Sequence, residues 1–484
     1  MRLVVVSNRL PIALKKKGES YEVHPGKGGL ITALAPVLRD RGGDWIGWSG
    51  VHGEDDVQTH LDDYSRKAGY NLHAVPLSRE QVQDYYQGFS NEVIWPLFHD
   101  LQTICNFKPA FFASYMEVNH KFASAIAEHS DSEAYVWVQD YHLMHAAWCL
   151  KQQGHDRRCG FFLHIPFPPP DIFLKLPWRT KIIEALLEFD LVGFQTVRDR
   201  RNFVQCVGLL RPDTQFSGRG QVVTATYEGR ELRVGYFPIS IDFKEFQNLA
   251  RTRKVAEQAH QVHTAFRRRH LILGADRLDY SKGIPERIQA MRFLYFKYPQ
   301  MREKLSLVQI VVPSREDVLG YRDKKLKIES MVSEVNGEFS VPGWVPIHYL
   351  YRNLSREELV AYYRVASIAL VTPLKDGMNL VAKEYCACNV SGQGVLVLSE
   401  FAGAAAQLQR WALLVNPHDV EGVADALYRA YLMDIDEKQA RMHKLRVSIR
   451  KYDIYWWVES FLQAAFDRQL GDFRQESVDF HSER

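Results

Sequence analysis

Cysteine is scarce in this chain and carries no pattern. The six residues, Cys105, Cys149, Cys159, Cys206, Cys386 and Cys388, lack the paired spacing of zinc sites and of disulfide scaffolds. Cys386-Ala387-Cys388 is too tight for the usual two-residue motif and follows a helical pattern, so small buried thiols are the simpler reading. Long apolar runs are missing too. No stretch reaches the ~20 residues that span a bilayer, and Met1-Arg2-Leu3-Val4-Val5-Val6-Ser7 reads as a strand rather than a signal peptide. The cytoplasm is the expected compartment. Excess charge of one sign is also lacking. A formal net charge of +3 over 484 residues demands no polyanionic partner, so neither nucleic acid nor a membrane is expected. There is no Gly/Ser linker, low-complexity segment or internal repeat. The dinucleotide GxGxxG and the Walker spacing are absent as well.

What is present is the composition of a soluble globular protein, 46% hydrophobic and 25% charged. Its length calls for two domains. Near-continuous apolar runs recur at Leu3–Ser7, Ala134–Gln139, Gly160–His164, Leu191–Phe194, Val234–Phe237, Leu271–Gly274, Leu305–Val312, Ile368–Val371 and Val395–Ser399. Such runs mark strands covered on both faces. Helical patterns lie between most of them, as at Arg179–Glu188 and Glu421–Leu432. The alternation predicts an α/β chain with two Rossmann-like, doubly wound parallel sheets and ligands at the carboxyl ends of their strands. A seam is expected after Pro238-Ile239-Ser240-Ile241-Asp242, giving domains over 1–245 and 246–450 with a cleft between them. The remainder, 451–484, holds an aromatic-rich helix with Tyr455, Trp456, Trp457 and Phe461 that should pack back across the seam.

Chemistry concentrates where these strands end. Ile368–Val371 stops at Thr372-Pro373, and Asp376-Gly377-Met378-Asn379-Leu380-Val381-Ala382-Lys383-Glu384 then runs into a helical pattern. Free N–H groups at that helix start suit a diphosphate, Asp376 a hexose and Glu384 the two hydroxyls of a ribose. Acids near a helix N-terminus are also favourable for the helix itself. After the strand Leu271–Gly274, Arg277 and Lys282 sit close enough to converge on one anion, or to pair with Asp276 and Asp279. Asp140 ends Val136–Gln139, as a sugar ligand, a base or a helix cap. His164 ends another strand before a proline-rich turn, as a ligand or a structural ring. Gly26-Lys27-Gly28-Gly29-Leu30 opens a helix, as a phosphate turn or a plain start. Lys15-Lys16-Lys17 reads as a solvated loop tip. In Asp84–Pro96, Tyr85 and Phe89 read as core while Tyr86 has a hydroxyl to offer a sugar. Arg315 follows the strand Leu305–Val312 and, with Arg9, could bind an acceptor phosphate or form a surface ion pair.

Together the blocks SNRLP, GGL, WIGWSG, YYQGFSNEVIWP, VQDYH, FFLHIPFP, GADRLDYSKG, VPSREDV, DGMNLVAKEY and VLSEFAGAA, from Ser7 to about Leu470, resemble the trehalose-6-phosphate synthases. These are retaining glycosyltransferases of the GT-B fold. The resemblance implies a nucleotide-glucose donor, UDP-glucose first, held largely by the second domain, and glucose 6-phosphate held largely by the first. It places Arg277 and Lys282 on the donor diphosphate, with Gly29 and the backbone of Leu380, Val381, Ala382 and Lys383 completing the cradle. Glu384 takes the ribose, Leu354 lies near the base, and Asp376 and His164 meet the glucose. Arg9, Tyr86, Trp95, Asp140 and Arg315 would hold the acceptor, with Trp45 or Trp48 nearby. Arg277, Lys282, His164 and Asp376 form the implied catalytic set. No cofactor and no metal are implied, because two cations can neutralise the diphosphate. The implied partners are small molecules, with homo-oligomers possible.

Two other readings share parts of this pattern. Leu176-Pro177-Trp178-Arg179 is similar to the glucosylglycerol-phosphate synthases, which use ADP-glucose and glycerol 3-phosphate. A catalytically silent sugar-phosphate sensor would keep the fold and lose Arg277, Lys282 or Glu384, all present here. The donor base stays open among uracil, guanine and adenine.

Overall fold

Apolar runs bounded by polar turns become parallel strands with both faces covered. The computed structural model describes residues 2–17, 20–26, 29–52, 57–266, 269–314 and 319–466. The chain divides into two units, Met1–Ile239 with the segment from Tyr455 onward, and Ser240–Ile454.

The first unit contains β1 (Leu3–Arg9), β2 (Ile12–Lys17), β3 (Ser20–Pro25), β4 (Gly43–Trp48), β5 (Asn71–Ala74), β6 (Tyr135–Gln139), β7 (Arg158–Phe162), β8 (Leu191–Phe194), β9 (Gln215–Ser217), β10 (Val222–Tyr227) and β11 (Arg230–Tyr236). Nine of them form one sheet in the order β5-β4-β1-β6-β7-β8-β11-β10-β9. It is parallel from β5 to β11 and antiparallel from there to β9. Counted along the chain, its first six parallel strands read 3-2-1-4-5-6, the doubly wound order with its switch point between β1 and β6. β2 and β3 pair separately as a hairpin. Lys15-Lys16-Lys17 therefore ends a strand and is not a loop tip, because its pairing with Ser20-Tyr21-Glu22 extends β2 through the basic run.

The helix Ile454–Phe466 seals one face of this sheet. Phe461 stacks on Trp137 at 4.3 Å between ring centroids, and Trp457 lies 5.1 Å from the same indole. Gly193 permits that approach, since a Cβ there would stand 2.8 Å from Phe461 Cε2. Burying each aromatic stabilises by about 2–3 kcal/mol. On the other side Tyr115, Phe122 and Ile126 of the helix Pro109–His129 belong to a core with Val136, Phe161 and Val192.

The second unit carries β12 (His270–Arg277), β13 (Leu305–Val312), β14 (Ile347–Tyr351), β15 (Ile368–Val371), β16 (Val395–Ser399) and β17 (Leu413–Val415). All pair in parallel, in the order β14-β13-β12-β15-β16-β17. This is again 3-2-1-4-5-6, with the switch point between β12 and β15. The polar stretch after Asp242 forms two helices, Phe243–Arg251 and Arg253–Ala265. They part at Thr252, which is extended and accepts from Val255 N–H as the second helix's N-cap.

Candidate active site

In a doubly wound sheet, the strands flanking the switch point send their connections to opposite faces, which opens a crevice at their carboxyl ends. In the first unit these strands are β1, ending at Arg9, and β6, followed by Asp140. The Arg9 guanidinium lies over the Trp48 ring, 4.8 Å from its centroid. Trp48 ends β4 and donates its indole N–H to Val51 O at 2.7 Å. Trp45 is different, buried with its N–H given to Ser7 Oγ at 2.8 Å. Of the two tryptophans only Trp48 is therefore brought against Arg9.

Tyr86 is half-buried and packs on Trp48 at 6.3 Å and on His142 at 5.8 Å. It rides on a π-helix, Val82–Ile94, whose wider turns are frequent at functional sites. Tyr85 and Phe89 of the same helix are fully buried, as core residues, and Tyr85 donates to Asn8 Oδ1 at 2.9 Å. Trp95 follows directly, buried, 6.0 Å from the Tyr141 ring.

Asp140 has φ 71°, which few residues other than glycine adopt. Its backbone N–H donates to Phe162 O at 2.8 Å and its Oδ1 accepts from His164 N–H at 3.1 Å, so β7 holds the unfavourable conformation in place. It does not cap the next helix with its side chain. Backbone held in such a conformation is concentrated at functional sites. His164 sits between two glutamines, Nε2 2.9 Å from Gln139 Oε1 and Nδ1 3.5 Å from Gln195 Nε2. Burial pushes its pKa down to about 3.

In the second unit the flanking strands are β12 and β15. Arg277 ends β12, exposed, and its side chain makes no hydrogen bond to another described residue. Lys282 lies in a short turn, and its Nζ donates to Asp376 Oδ2 at 2.6 Å. Asp276 and Asp279 do not hold these cations: Asp276 pairs with Arg287, and Asp279 caps Ser281. The Asp376–Asn379 turn is fastened on two sides. Leu374 N–H donates to Ser281 O at 2.7 Å, while Gly403 and Ala404 N–H donate to Asp376 O at 3.0 Å and Met378 O at 2.7 Å.

Asn379, at φ 76°, caps the helix Leu380–Cys388 by accepting from Ala382 N–H at 3.3 Å and donates to Asp376 Oδ2 at 3.1 Å. The Ala382 N–H is thus taken, while Leu380 and Val381 stand in the first turn with the amides a helix start leaves unpaired. Lys383 is buried, and desolvation lowers its pKa to about 7. Glu384 accepts from Tyr363 Oη at 2.9 Å. Burial raises its pKa, opposed by that hydrogen bond and by Arg356. Leu354 stands just before Ser355, the cap of the helix Arg356–Val365. Gly29 is the first residue of the helix Gly29–Arg41. Lys27, Gly28 and Arg315 lie outside the described residues.

Arg9 and Asp140 thus lie at the end of strands flanking the first switch point, and Arg277 and Asp376 at the end of or beyond those flanking the second. The model of glycosyltransferase family 20 matches residues 1–467. The chain belongs to glycosyltransferase family 20. Within the family it is 43% identical over 478 residues to a trehalose-6-phosphate synthase of Mycolicibacterium smegmatis, covering 97% of this chain and 93% of the relative. An α,α-trehalose-phosphate synthase (UDP-forming) from Burkholderia xenovorans, solved with glucose-6-phosphate, superposes with a TM-score of 0.86 at 35% identity. That match covers 96% of this chain and 100% of the other. A trehalose-6-phosphate structure from E. coli bound with UDP-2-fluoro glucose gives 0.87 at 37%, covering 96% and 99%. The fold class is GT-B, with two Rossmann-like units.

The site also contains residues that the sequence did not single out. Gln139 and Gln195 fix the His164 ring from neighbouring strand ends, and Asn379 ties the Asp376 carboxylate to the helix start. Only Asn379 left a signal, as an asparagine directly before a helical pattern. Among the described residues no group of three or more His, Cys, Asp or Glu is arranged to hold a metal. No described helix is long and apolar enough to cross a membrane.

Proposed function

We propose that this family 20 member is a retaining glucosyltransferase that moves glucose from a nucleotide-glucose, UDP-glucose first, to glucose 6-phosphate, forming α,α-trehalose 6-phosphate. The observation that carries the reading is the second unit's switch point. An exposed Arg277, a Lys282 paired with Asp376 and the start of the helix Leu380–Cys388 lie on strands and turns tied to one another there. Cations and helix amides together suit a diphosphate.

Each residue then has a task. Arg277 and Lys282 meet the diphosphate with Gly29 and the amides of Leu380 to Lys383. Glu384 accepts from the ribose hydroxyls, Leu354 lies by the base, and Asp376 and His164 contact the glucose. Arg9 and Arg315 take the acceptor phosphate, while Tyr86, Trp95 and Asp140 of the first unit orient its sugar. In the reaction the donor C1–O bond to phosphate breaks and the acceptor's anomeric oxygen bonds that carbon on the same face. Its proton passes to the departing phosphate oxygen. The negative charge growing on the diphosphate is stabilised by groups already in position, which is the main electrostatic contribution. Two cations supply what a divalent metal would otherwise supply.

The tetrapeptide that suggested a glycerol-phosphate acceptor has a structural role. Leu176 is fully buried, Trp178 stacks on Phe112 at 4.9 Å, and Arg179 starts a helix. The deciding experiment offers purified protein UDP-, GDP- and ADP-glucose with glucose 6-phosphate or glycerol 3-phosphate, and identifies products by NMR. Product with glucose 6-phosphate is expected; product with glycerol 3-phosphate alone would overturn the proposal.

A further inference from the structure

Arginine offers five N–H donors in a rigid fork, and burying it requires partners for most of them. Arg287, on the helix Ile284–Lys297, is buried and meets that demand with four different segments. Its Nη1 donates to Asp276 Oδ2 at 2.5 Å and to Gln309 Oε1 at 2.9 Å. Its Nε donates to Thr372 Oγ1 at 3.1 Å and its Nη2 to Lys282 O at 3.3 Å. Asp276 precedes Arg277 on β12, and Thr372 follows β15 on the way to Asp376. The space is made by Gly274, where a Cβ would stand 2.6 Å from Nη1.

We infer that Arg287 is the positioning residue of the donor site: it touches no ligand, and from behind the switch point it fixes where Lys282 presents its charge. Its four contacts join β12, β13, the segment after β15 and the turn that carries Lys282, so no one of these shifts without breaking a buried charged hydrogen bond. A lysine in its place keeps the charge beside Asp276 but not the fork that reaches the other three. The inference rests on the proposed reading in taking a nucleoside diphosphate as the ligand.

The test is a binding cycle read by calorimetry, with UDP as probe, or GDP or ADP where wild type binds one of them better. Arg287→Lys weakens binding about 10-fold in the otherwise wild-type protein and less than about 2-fold in a Lys282→Ala background, because the effect passes through Lys282. In turnover, kcat falls by about 100-fold, the scale of a small misplacement, with KM for glucose 6-phosphate unchanged. Equal losses of affinity in both backgrounds would overturn the inference. Should Arg287→Lys fail to fold, Thr372→Val removes only the Nε partner, and unchanged affinity in that variant overturns it equally. A wild type that binds the diphosphate but transfers no glucose refutes the proposed reaction and leaves the cycle to decide Arg287. A wild type and an Arg287→Lys variant that turn over alike refute the inference alone.

Discussion

Lys282 Nζ lies 2.6 Å from Asp376 Oδ2, both side chains largely buried, although 94 positions separate them in the chain. The contact makes the residues proposed for the diphosphate and for the hexose one electrostatic unit. Removing the lysine alone leaves a carboxylate facing the diphosphate, with Asn379 Nδ2 at 3.1 Å as a neutral donor. Lys282→Ala should therefore weaken UDP binding by about 2 kcal/mol, the scale for stripping one partner from a buried charged pair. Adding Asp376→Asn should restore part of that loss. Titration calorimetry of both variants decides it: a double variant that binds no better than Lys282→Ala would show the two residues to be independent.

Arg277 has no comparable partner among the described residues, and its guanidinium is exposed at the end of β12. In the proposed reaction its charge serves the leaving diphosphate as that group separates from glucose. Arg277→Ala is expected to cost about 3 kcal/mol of transition-state stabilisation, the effect of losing one preorganised donor. Steady-state kcat should fall accordingly while the thermal midpoint holds. A near-normal kcat would remove Arg277 from the mechanism.

These two residues show which parts of the site were legible in the sequence. Strand ends were readable where parallel strands covered on both faces write near-continuous apolar runs: Val371 and Gln139 do end β15 and β6, whereas β12 runs past Gly274 through the polar Asp276 to Arg277. Nothing local shows that Lys282 meets Asp376, or that Arg287 reaches from a helix into the sheet, because such contacts depend on tertiary packing. The π-helix Val82–Ile94 was not legible either, since its residue types do not differ from those of an α-helix. Lys15-Lys16-Lys17 misled for a related reason: in a two-stranded hairpin, pairing with β3 rather than burial makes the strand. Asp140 gave no hint of its positive φ, which its hydrogen bonds to β7 and His164 impose.

On the acceptor side the stack of Arg9 on Trp48 gives a separable expectation. Arg9→Met keeps apolar contact with the indole and removes the cation, so KM for glucose 6-phosphate should rise at least about 10-fold, as for a lost charged hydrogen bond. Affinity for UDP should stay at the wild-type value. Arg315→Ala is expected to behave alike. Equal loss of both ligands in either variant would indicate damage to the fold.

At the opposite end of the first sheet a buried carboxylate offers a test of stability rather than catalysis. Asp44 accepts from Arg2 Nη2 at 2.7 Å, His73 Nε2 at 2.8 Å and Asn71 Nδ2 at 3.1 Å. Burial alone would raise its pKa, but the hydrogen bonds from His73, Arg2 and Asn71 outweigh it and hold the carboxyl at about 2. A carboxylate depressed on folding stabilises fully above its unfolded pKa, near 3.9, and loses that contribution as pH falls through about 2. Asp44→Asn should cost about 2 kcal/mol at neutral pH. Urea unfolding at pH 7 and pH 3 should show the gap between wild type and variant narrowing in acid; a gap independent of pH would mean the ionised form contributes nothing.

His164 gives the opposite expectation to the one usually attached to an active-site histidine. Gln139 Oε1 accepts from Nε2, which leaves Nδ1 as the acceptor facing Gln195. With burial holding its pKa at about 3, the ring stays neutral across the working range and has no proton to give or take there. His164→Gln should lower kcat through lost contact with the donor glucose, yet leave the shape of the kcat profile between about pH 5 and 8 unchanged. The stability sign follows from the same depression. An unfolded histidine takes up a proton below about 6.5, so the folded ring's contribution is complete above that value and is lost as pH falls toward about 3. Melting temperatures of wild type should therefore drop more steeply than those of His164→Gln between about pH 7 and 4. A pH–rate limb that disappears with the histidine would instead make His164 a proton carrier and overturn the neutral-ring assignment.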